Sequence, residues 1–156
     1  MYDNIAKSYD ELYKKEQLNK LRIISKILKV NENDLLLDIG AGTGISTNYF
    51  NCKTYGIEPS LNMIKNGKGN LVNARAENIP FKNKSFDIVI AVTSFHNFSD
   101  FDLAIKEIKR VSRINAKIII TIMKKSVKFK EIKHKLLKNF KFKQIAEAKD
   151  IIFYTE

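Results

Sequence analysis

The chain has 156 residues, with 44% hydrophobic and 29% charged side chains and a formal net charge of +11. This balance is typical of one globular domain and excludes a disordered chain, which would carry too few apolar residues to form a core. No apolar run approaches the roughly 20 residues that a membrane helix needs, so we expect no membrane association. The first residues lack the apolar stretch of a signal peptide, and a single cysteine excludes an internal disulfide, so we expect a cytoplasmic location.

Helical patterns alternate with short apolar runs along the chain. Before the first run, apolar residues recur at helical spacing from Leu18 to Leu28. Later helices have recognisable starts, because Ser60 and Asp100 are residue types that cap helix N-termini. The predicted helices cover the N-terminal segment within 1–30, residues 45–50, the segment after Ser60, residues 101–112 and about 127–138.

The apolar runs predict a parallel sheet. Several of them are apolar at consecutive positions, as expected for parallel strands that are covered on both faces. The predicted strands are 34–39, 53–58, 70–74, 86–92 and 116–123, followed by two strand-like runs within 139–148 and 150–156. The last two are too close for a crossover helix, so they should pair antiparallel at an edge. The sequence therefore predicts an α/β, doubly wound, Rossmann-like sheet that is mostly parallel and has a C-terminal antiparallel hairpin.

The stretch "LLLDIGAGTG" (35–44) ends the first predicted strand with three glycines, Gly40, Gly42 and Gly44. In such sheets ligands bind beyond the carboxyl ends of the strands. A nicotinamide-binding turn reads G-x-G-x-x-G, and here the third glycine comes one residue early. Asp38 also argues against a phosphate, because its carboxylate favours a cation such as an ammonium. The same residues would also fit a tight turn without a ligand.

The second strand ends in another carboxylate, Glu58, followed by Pro59, which stops the strand. A carboxylate at this position can accept hydrogen bonds from both hydroxyls of a ribose. Asp38, the glycines and Glu58 together would suit a nucleoside that carries an amino acid. The sequence therefore predicts S-adenosylmethionine as the cofactor, with S-adenosylhomocysteine as its product.

Five motifs, in order, resemble the class I S-adenosylmethionine-dependent methyltransferases, especially the methyltransferase 11 type. They are "YDNIAKSYDELY", "LLLDIGAGTG", "YGIEPS", "ARAENIPFKNKSFDIVIAVTSFHNFSD" and "EIKRVSRINAKIIIT", and they run from about residue 2 to about residue 120. The resemblance implies one methyltransferase domain over 1–156. Its parts would be N-terminal helices in 1–30, a cofactor-binding core in 34–123 and a helix plus edge hairpin in 124–156.

The resemblance also implies roles for individual residues at the two ends of the cofactor. Asp38 would hold the methionine ammonium, the glycines would admit the carboxylate end, and Glu58 would bind the ribose. Further cofactor contacts are implied for Tyr9, Pro59, Met63, Ala76, Glu77 and Ala91, with Leu61 beside the adenine. Apolar helix residues and an aromatic on an amphipathic helix are equally consistent with simple packing.

Two positions depart from the family pattern. Arg75 stands where relatives often have an aspartate that accepts a hydrogen bond from the adenine amino group, and an arginine cannot accept one. Glu77 or the loop backbone would then have to serve. Asn97 stands where relatives often have a histidine.

His96 is the candidate catalytic base, because it follows the fourth strand and an imidazole titrates near neutrality. The alternative is a histidine that only hydrogen-bonds a loop backbone. No metal ligand set is predicted, since one cysteine and two histidines provide no cluster with metal-ligand spacing.

The methyl acceptor is not determined by these motifs. The family type favours a small molecule, whereas the net charge of +11 and a short chain without a cap insertion favour an open site for RNA or protein. The charge also fits a solvated, lysine-rich surface. A homodimer or a partner subunit could complete the pocket. Because of Arg75 and the uncertain base, a cofactor-binding scaffold without turnover is a further alternative.

Overall fold

Helices and strands alternate along almost the whole length of the chain. The computed structural model describes the backbone of residues 2–156 and the side chains of residues 8–156. The helices are α1 (Tyr2–Ile27), α2 (Leu61–Lys65), α3 (Phe101–Val111) and α4 (Phe129–Asn139). The strands are β1 (Leu35–Ile39), β2 (Lys53–Glu58), β3 (Leu71–Asn73), β4 (Phe86–Val92), β5 (Ser112–Met123), β6 (Lys143–Ala146) and β7 (Asp150–Tyr154).

The strands form one seven-stranded sheet in the order β3-β2-β1-β4-β5-β7-β6. The first five strands in this order are parallel to one another, and β7 is antiparallel to both β5 and β6. The strand order reverses between β1 and β4, which makes their carboxyl ends the topological switch point where ligands bind in such sheets. This topology confirms the predicted doubly wound sheet with a C-terminal antiparallel hairpin.

Both faces of the sheet are covered, which explains the consecutive apolar residues of the central strands. Successive side chains of a strand point to opposite faces. Leu36 and Ile90 belong to the core cluster under α1, whereas Leu37 and Ala91 belong to the cluster with α3 and α4. The apolar side chains that face the sheet from α1 include Leu21, Ile24 and Leu28, as their spacing predicts.

The N-terminal segment forms one continuous helix, α1, where the sequence suggested helices within 1–30. In the part of the chain that the structure describes, no helix is long and apolar enough to cross a membrane. The caps of the later helices are confirmed: the side chain of Ser60 accepts a hydrogen bond from the backbone of Met63, and Asp100 does the same for Leu103.

The helix predicted over residues 45–50 is wrong, since this segment is a series of turns. Its polar side chains hydrogen-bond elsewhere and compete with helix formation. Ser46 and Thr47 donate to the carboxylate of Asp38, and Asn48 donates to the backbone carbonyls of Gly44 and Lys68. The connection from β1 to β2 is therefore tied to the end of β1.

Candidate functional site

A pocket of about 690 Å³ lies at the carboxyl edge of the sheet, where β1, β2 and β4 end. The glycine turn after β1, residues 74–77 and side chains of α1 all line it. This volume lies in the range of sites that bury a cofactor-sized ligand. The position at the switch point agrees with the topology of the sheet.

Two glycines of the turn have different roles. Gly40 and Gly42 both line the pocket and have positive φ values of 74° and 60°, which side chains rarely adopt. A Cβ atom on Gly40 would lie 2.4 Å from Cβ of Ser94, so Gly40 allows the ends of β1 and β4 to pack together. A Cβ atom on Gly42 would meet nothing within 4 Å, so Gly42 opens onto the empty space of the pocket.

Gly44 does not line the pocket, contrary to the predicted contact with the cofactor. Its φ is 93°, and a Cβ atom there would lie 2.4 Å from the backbone carbonyl oxygen of Lys68. Gly44 therefore serves the close approach of two backbone segments.

Asp38 is fully buried at the end of β1. Its Oδ2 accepts hydrogen bonds from the hydroxyls of Ser46, at 2.5 Å, and Thr47, at 2.9 Å. Burial raises the pKa of Asp38 from 3.8 to about 6, the two hydroxyls oppose this rise, and the nearby charge of Glu58 adds to it. Its Oδ1 is buried without a hydrogen-bond partner among the described residues. A buried carboxylate oxygen without a donor is costly, so it is suited to a ligand that supplies one.

Glu58 lines the pocket at the end of β2, and its carboxylate is held from two sides. Gly42 donates its backbone N–H to Oε1 at 3.0 Å, and Ser60 donates its backbone N–H to Oε2 at 2.7 Å. A carboxylate accepts about four hydrogen bonds, so each oxygen retains capacity for a further donor. Glu58 thus offers two fixed acceptors, as a ribose diol requires.

The other end of the pocket is lined by the remaining residues predicted for the adenine side: Pro59, Met63, Ala76 and Glu77. Glu77 also has a structural role, because its Oε1 accepts the backbone N–H groups of Ser99 and Asp100 at 2.7 and 3.2 Å. Arg75 lines this end as well, whereas Leu61 is exposed and lies outside the lining.

For two predicted contacts, a nearby residue of the same part of the chain lines the pocket in place of the predicted one. Ala91 is fully buried in the cluster beneath α3, because the alternation of β4 turns it to that face. Val92 and Thr93, which follow it at the end of the strand, line the pocket instead. Tyr9 is 70% exposed and lies outside the lining, while Tyr13, one helical turn later, is on the wall.

His96, the predicted base, does not line the pocket, although its neighbours Ser94 and Asn97 do. It lies in a short 3-10 turn, Phe95–Asn97, after β4. Burial lowers the pKa of His96, Asp150 opposes this effect, and Lys128 adds to it, so the imidazole is neutral at pH 7. Its Nδ1 is buried without a hydrogen-bond partner among the described residues. This nitrogen therefore does not make the loop-backbone hydrogen bond that was the alternative role for His96.

Sequence reasoning missed the polar wall that α1 contributes. Among the side chains of α1 that the structure describes, those of Asp10, Tyr13, Lys14 and Gln17 line the pocket. They recur with the same three- and four-residue spacing as the apolar stripe that follows them in α1, so both sets share one helix face. This continuation of the stripe in polar residues was the available signal.

A buried polar network fastens α1 to the sheet beside the pocket. Lys20 is 4% exposed, and its Nζ lies 3.2 Å from Oδ1 of the fully buried Asp150 and donates to Oγ1 of Thr93 at 2.9 Å. Thr93 and Thr121 both donate to Oδ2 of Asp150. Thr93 has a φ of 52°, a strained value for a β-branched residue, and the network holds it in this conformation.

Comparison with known proteins identifies the family of this arrangement. The methyltransferase domain family matches residues 37–120, more than half of the chain. The chain belongs to the methyltransferase domain family. This confirms the predicted family and, with it, S-adenosylmethionine as the cofactor.

Individual relatives agree with this assignment. An uncharacterized protein of Methanocaldococcus jannaschii is 39% identical over 127 residues, which are 78% of this chain and 49% of that protein. A demethylmenaquinone methyltransferase of Thermotoga maritima is 27% identical over 135 residues, which are 77% of this chain and 58% of that enzyme. The methyltransferase domain thus spans about half to three fifths of the length of these curated relatives.

Solved structures support the fold over the whole chain. A methyltransferase of Thermotoga maritima, described as S-adenosylmethionine-dependent and a possible histamine N-methyltransferase, superimposes with a TM-score of 0.73. The superposition covers 98% of this chain and 96% of that one at 20% identity. A similarity at this identity concerns the fold.

The residues of the pocket fit the cofactor that this family implies. S-adenosylmethionine carries an ammonium, a ribose diol and an adenine. The unpartnered Oδ1 of Asp38 matches the ammonium, the open space above Gly42 admits the chain between ammonium and ribose, and Glu58 matches the diol. All three lie at the switch point of one sheet, which makes the methyltransferase domain competent to hold the cofactor.

Proposed function

We propose that this protein transfers the methyl group of S-adenosylmethionine to a small-molecule acceptor. The observation that supports the donor most strongly is the unpartnered, fully buried Oδ1 of Asp38 at the end of β1, directly before the turn whose Gly40 and Gly42 line the pocket. An empty tight turn would have no use for a buried carboxylate with an open acceptor, because desolvating it destabilises the fold.

When bound, S-adenosylmethionine supplies an electrophilic methyl group on a sulfonium, which an acceptor displaces in line. The chain's own contribution is positioning, which can supply much of the catalysis in such a displacement. Asp38 would neutralise the ammonium, and Glu58 would fix the ribose. The α1 helix, fastened by Lys20, would cover the pocket and exclude water.

A small acceptor suits a pocket to which α1 contributes side chains. Tyr13 and Gln17 of α1 line it together with Gly40 after β1 and Thr93 after β4. Relatives that match over 77% of this chain include demethylmenaquinone methyltransferases, whose name denotes a small-molecule acceptor. We retain His96 as the proposed base, which would have to reach the acceptor after a rearrangement of the 3-10 turn.

Transfer of a labelled methyl group into a fractionated cell extract tests this function. The purified protein should label the small-molecule fraction, and Glu58→Ala should abolish that labelling. Absence of labelling in every fraction, from a protein that binds the cofactor, would support a scaffold without turnover and contradict the proposal.

The net charge of +11 supports a second candidate acceptor, RNA. A surface that contacts phosphates binds RNA with an affinity that falls steeply with salt concentration. If RNA is the acceptor, label should enter the RNA fraction and RNA affinity should drop at least tenfold between 50 and 200 mM salt, roughly the loss expected for several phosphate contacts. A flat response would exclude this candidate.

A further inference from the structure

Gln17 presents an unused hydrogen-bond acceptor at the pocket. The residue is 7% exposed, lines the pocket, and has its Oε1 buried without a partner among the described residues. Its Nε2 donates to the hydroxyl of Tyr13 at 2.8 Å, which anchors the side chain to its neighbour on α1. A buried amide oxygen without a donor costs stability, so it is expected to serve a ligand.

A chain of contacts links the face of α1 that carries Gln17 to the glycine turn after β1. Gln17 lies three residues before Lys20 and therefore on the same face of α1, one turn away. Lys20 donates to Thr93, which follows β4. The next residue, Ser94, donates to the backbone carbonyl of Ile39 and packs against Gly40, directly after Asp38 in β1.

The chemistry of these atoms selects a cationic donor. The atom of Gln17 that lacks a partner among the described residues is its amide oxygen, which repels a carboxylate and attracts an N–H. Asp38 likewise has a single oxygen without a donor. An ammonium has three N–H donors, and so has one for each of these oxygens.

We infer that Gln17 is a further cofactor-binding residue, which accepts a hydrogen bond from the ammonium of the methionine moiety. The inference rests on the proposed binding of S-adenosylmethionine in this pocket. It gives α1 a direct part in recognising the amino-acid end of the cofactor.

Calorimetric titration with two ligands tests the inference without knowledge of the acceptor. One ligand is S-adenosylhomocysteine, and the other is its deamino analogue, in which hydrogen replaces the amino group. The variant is Gln17→Met, which preserves the length of the side chain and removes the acceptor. We expect it to weaken binding of S-adenosylhomocysteine about tenfold, as for one hydrogen bond to a charged group, and to leave binding of the deamino analogue unchanged.

Gln144→Leu is the matched control, because Gln144 is exposed on the edge strand β6. The Gln144→Leu protein should bind both ligands like the wild type. Gln17→Leu also removes the acceptor but with a side chain of different shape. The unfolding midpoint of each variant checks that it folds. Equal losses for both ligands in both Gln17 variants would indicate a packing role and overturn the inference. Unchanged affinity for S-adenosylhomocysteine would also overturn it and would leave the amide oxygen to the acceptor.

The two failures are distinguishable. If the wild type binds neither ligand, the proposed function fails. If the wild type binds S-adenosylhomocysteine but does not prefer it to the deamino analogue, the cofactor assignment stands and the role of Gln17 is refuted.

Discussion

Asp38 carries a conflict between stability and ligand binding. Its pKa, raised from 3.8 to about 6 by burial, means that the folded protein holds this proton more tightly than the unfolded chain. A rise of this size corresponds to about 3 kcal/mol. The contribution to stability is complete below pH 3.8 and is lost as the pH rises through about 6.

The first prediction concerns the ligand-free protein. Asp38→Asn keeps acceptors for Ser46 and Thr47 but removes the buried charge, so it should be more stable than the wild type at pH 7 by on the order of 1–3 kcal/mol. This advantage should disappear near pH 4, where the wild-type carboxyl is protonated in the folded state. Urea unfolding at both pH values measures this difference in the free energy of unfolding. If the wild type is more stable than Asp38→Asn at pH 7, the buried charge of Asp38 does not destabilise the ligand-free protein.

The second prediction concerns binding of S-adenosylhomocysteine. Since the ammonium prefers the ionised form of Asp38, its affinity should fall as the pH drops below about 6, approaching tenfold per pH unit. Binding near pH 6 should release a proton, which calorimetry in buffers of different ionisation enthalpy detects. Asp38→Asn should bind weakly at every pH, and a wild-type affinity that does not change from pH 7 to pH 5 would contradict the role of Asp38.

The third prediction separates two glycines of the same turn. Alanine at position 40 would collide with Ser94 and should destabilise the fold by several kcal/mol, whereas alanine at position 42 meets no atom and should cost only about 1 kcal/mol for its positive φ. Gly42→Ala should nevertheless weaken S-adenosylhomocysteine binding at least tenfold, because its methyl group occupies ligand space. Normal binding by a folded Gly42→Ala protein would show that the space above Gly42 is not used.

At the scale of elements, two ion pairs among the described residues join α1 to the start of β7. The buried pair Lys20–Asp150 lies beside the pocket, and an exposed pair joins Glu16 to Lys149, just before β7. Removing one partner of a buried pair leaves an uncompensated charge, whereas exposed pairs contribute little.

The fourth prediction uses these two pairs as a matched comparison. Asp150→Ala should destabilise the protein by about 3–5 kcal/mol, and the double variant Lys20→Met, Asp150→Ala should recover part of that loss. Glu16→Ala should leave the unfolding midpoint unchanged within error. Denaturant unfolding of the set measures the effects, and equal effects of Asp150→Ala and Glu16→Ala would contradict the proposed anchoring of α1.

The same elements explain how far the sequence could predict the site. Asp38, Gly42 and Glu58 lie at the ends of neighbouring strands within a short stretch of chain, so local patterns were sufficient to bring them together. Lys20 and Asp150 are separated by most of the chain, and no local pattern indicates their contact. The choice between Tyr9 and Tyr13 required the position of α1 along the sheet, since both residues lie on one helix face.

The helix predicted over residues 45–50 was wrong because contacts with distant residues hold this segment as turns. The position of this segment after the glycine turn suggested a helix, but the side chains of Ser46 and Thr47 donate hydrogen bonds to Asp38. Their requirement for a buried carboxylate is a tertiary effect that overrides a weak local preference. The fold was therefore predictable from strand patterns, and the fine structure of the pocket was not.

At the scale of the whole molecule, the parallel sheet brings together polar groups whose hydrogen-bonding capacity a ligand would complete. A glycine that faces empty space and a fixed carboxylate line one pocket at the switch point, and a buried carboxylate with an open oxygen lies at the end of the adjoining strand β1. The family assignment, the topology and these three features agree on S-adenosylmethionine.

Calorimetric titration of the wild type with S-adenosylhomocysteine, repeated with Asp38→Ala and Glu58→Ala, tests this central claim most directly. We predict one site per chain in the wild type and a loss of affinity of at least tenfold in each variant, as expected when a charged hydrogen-bond partner is removed. An absence of binding by the folded wild type, or binding that neither substitution weakens, would contradict the claim.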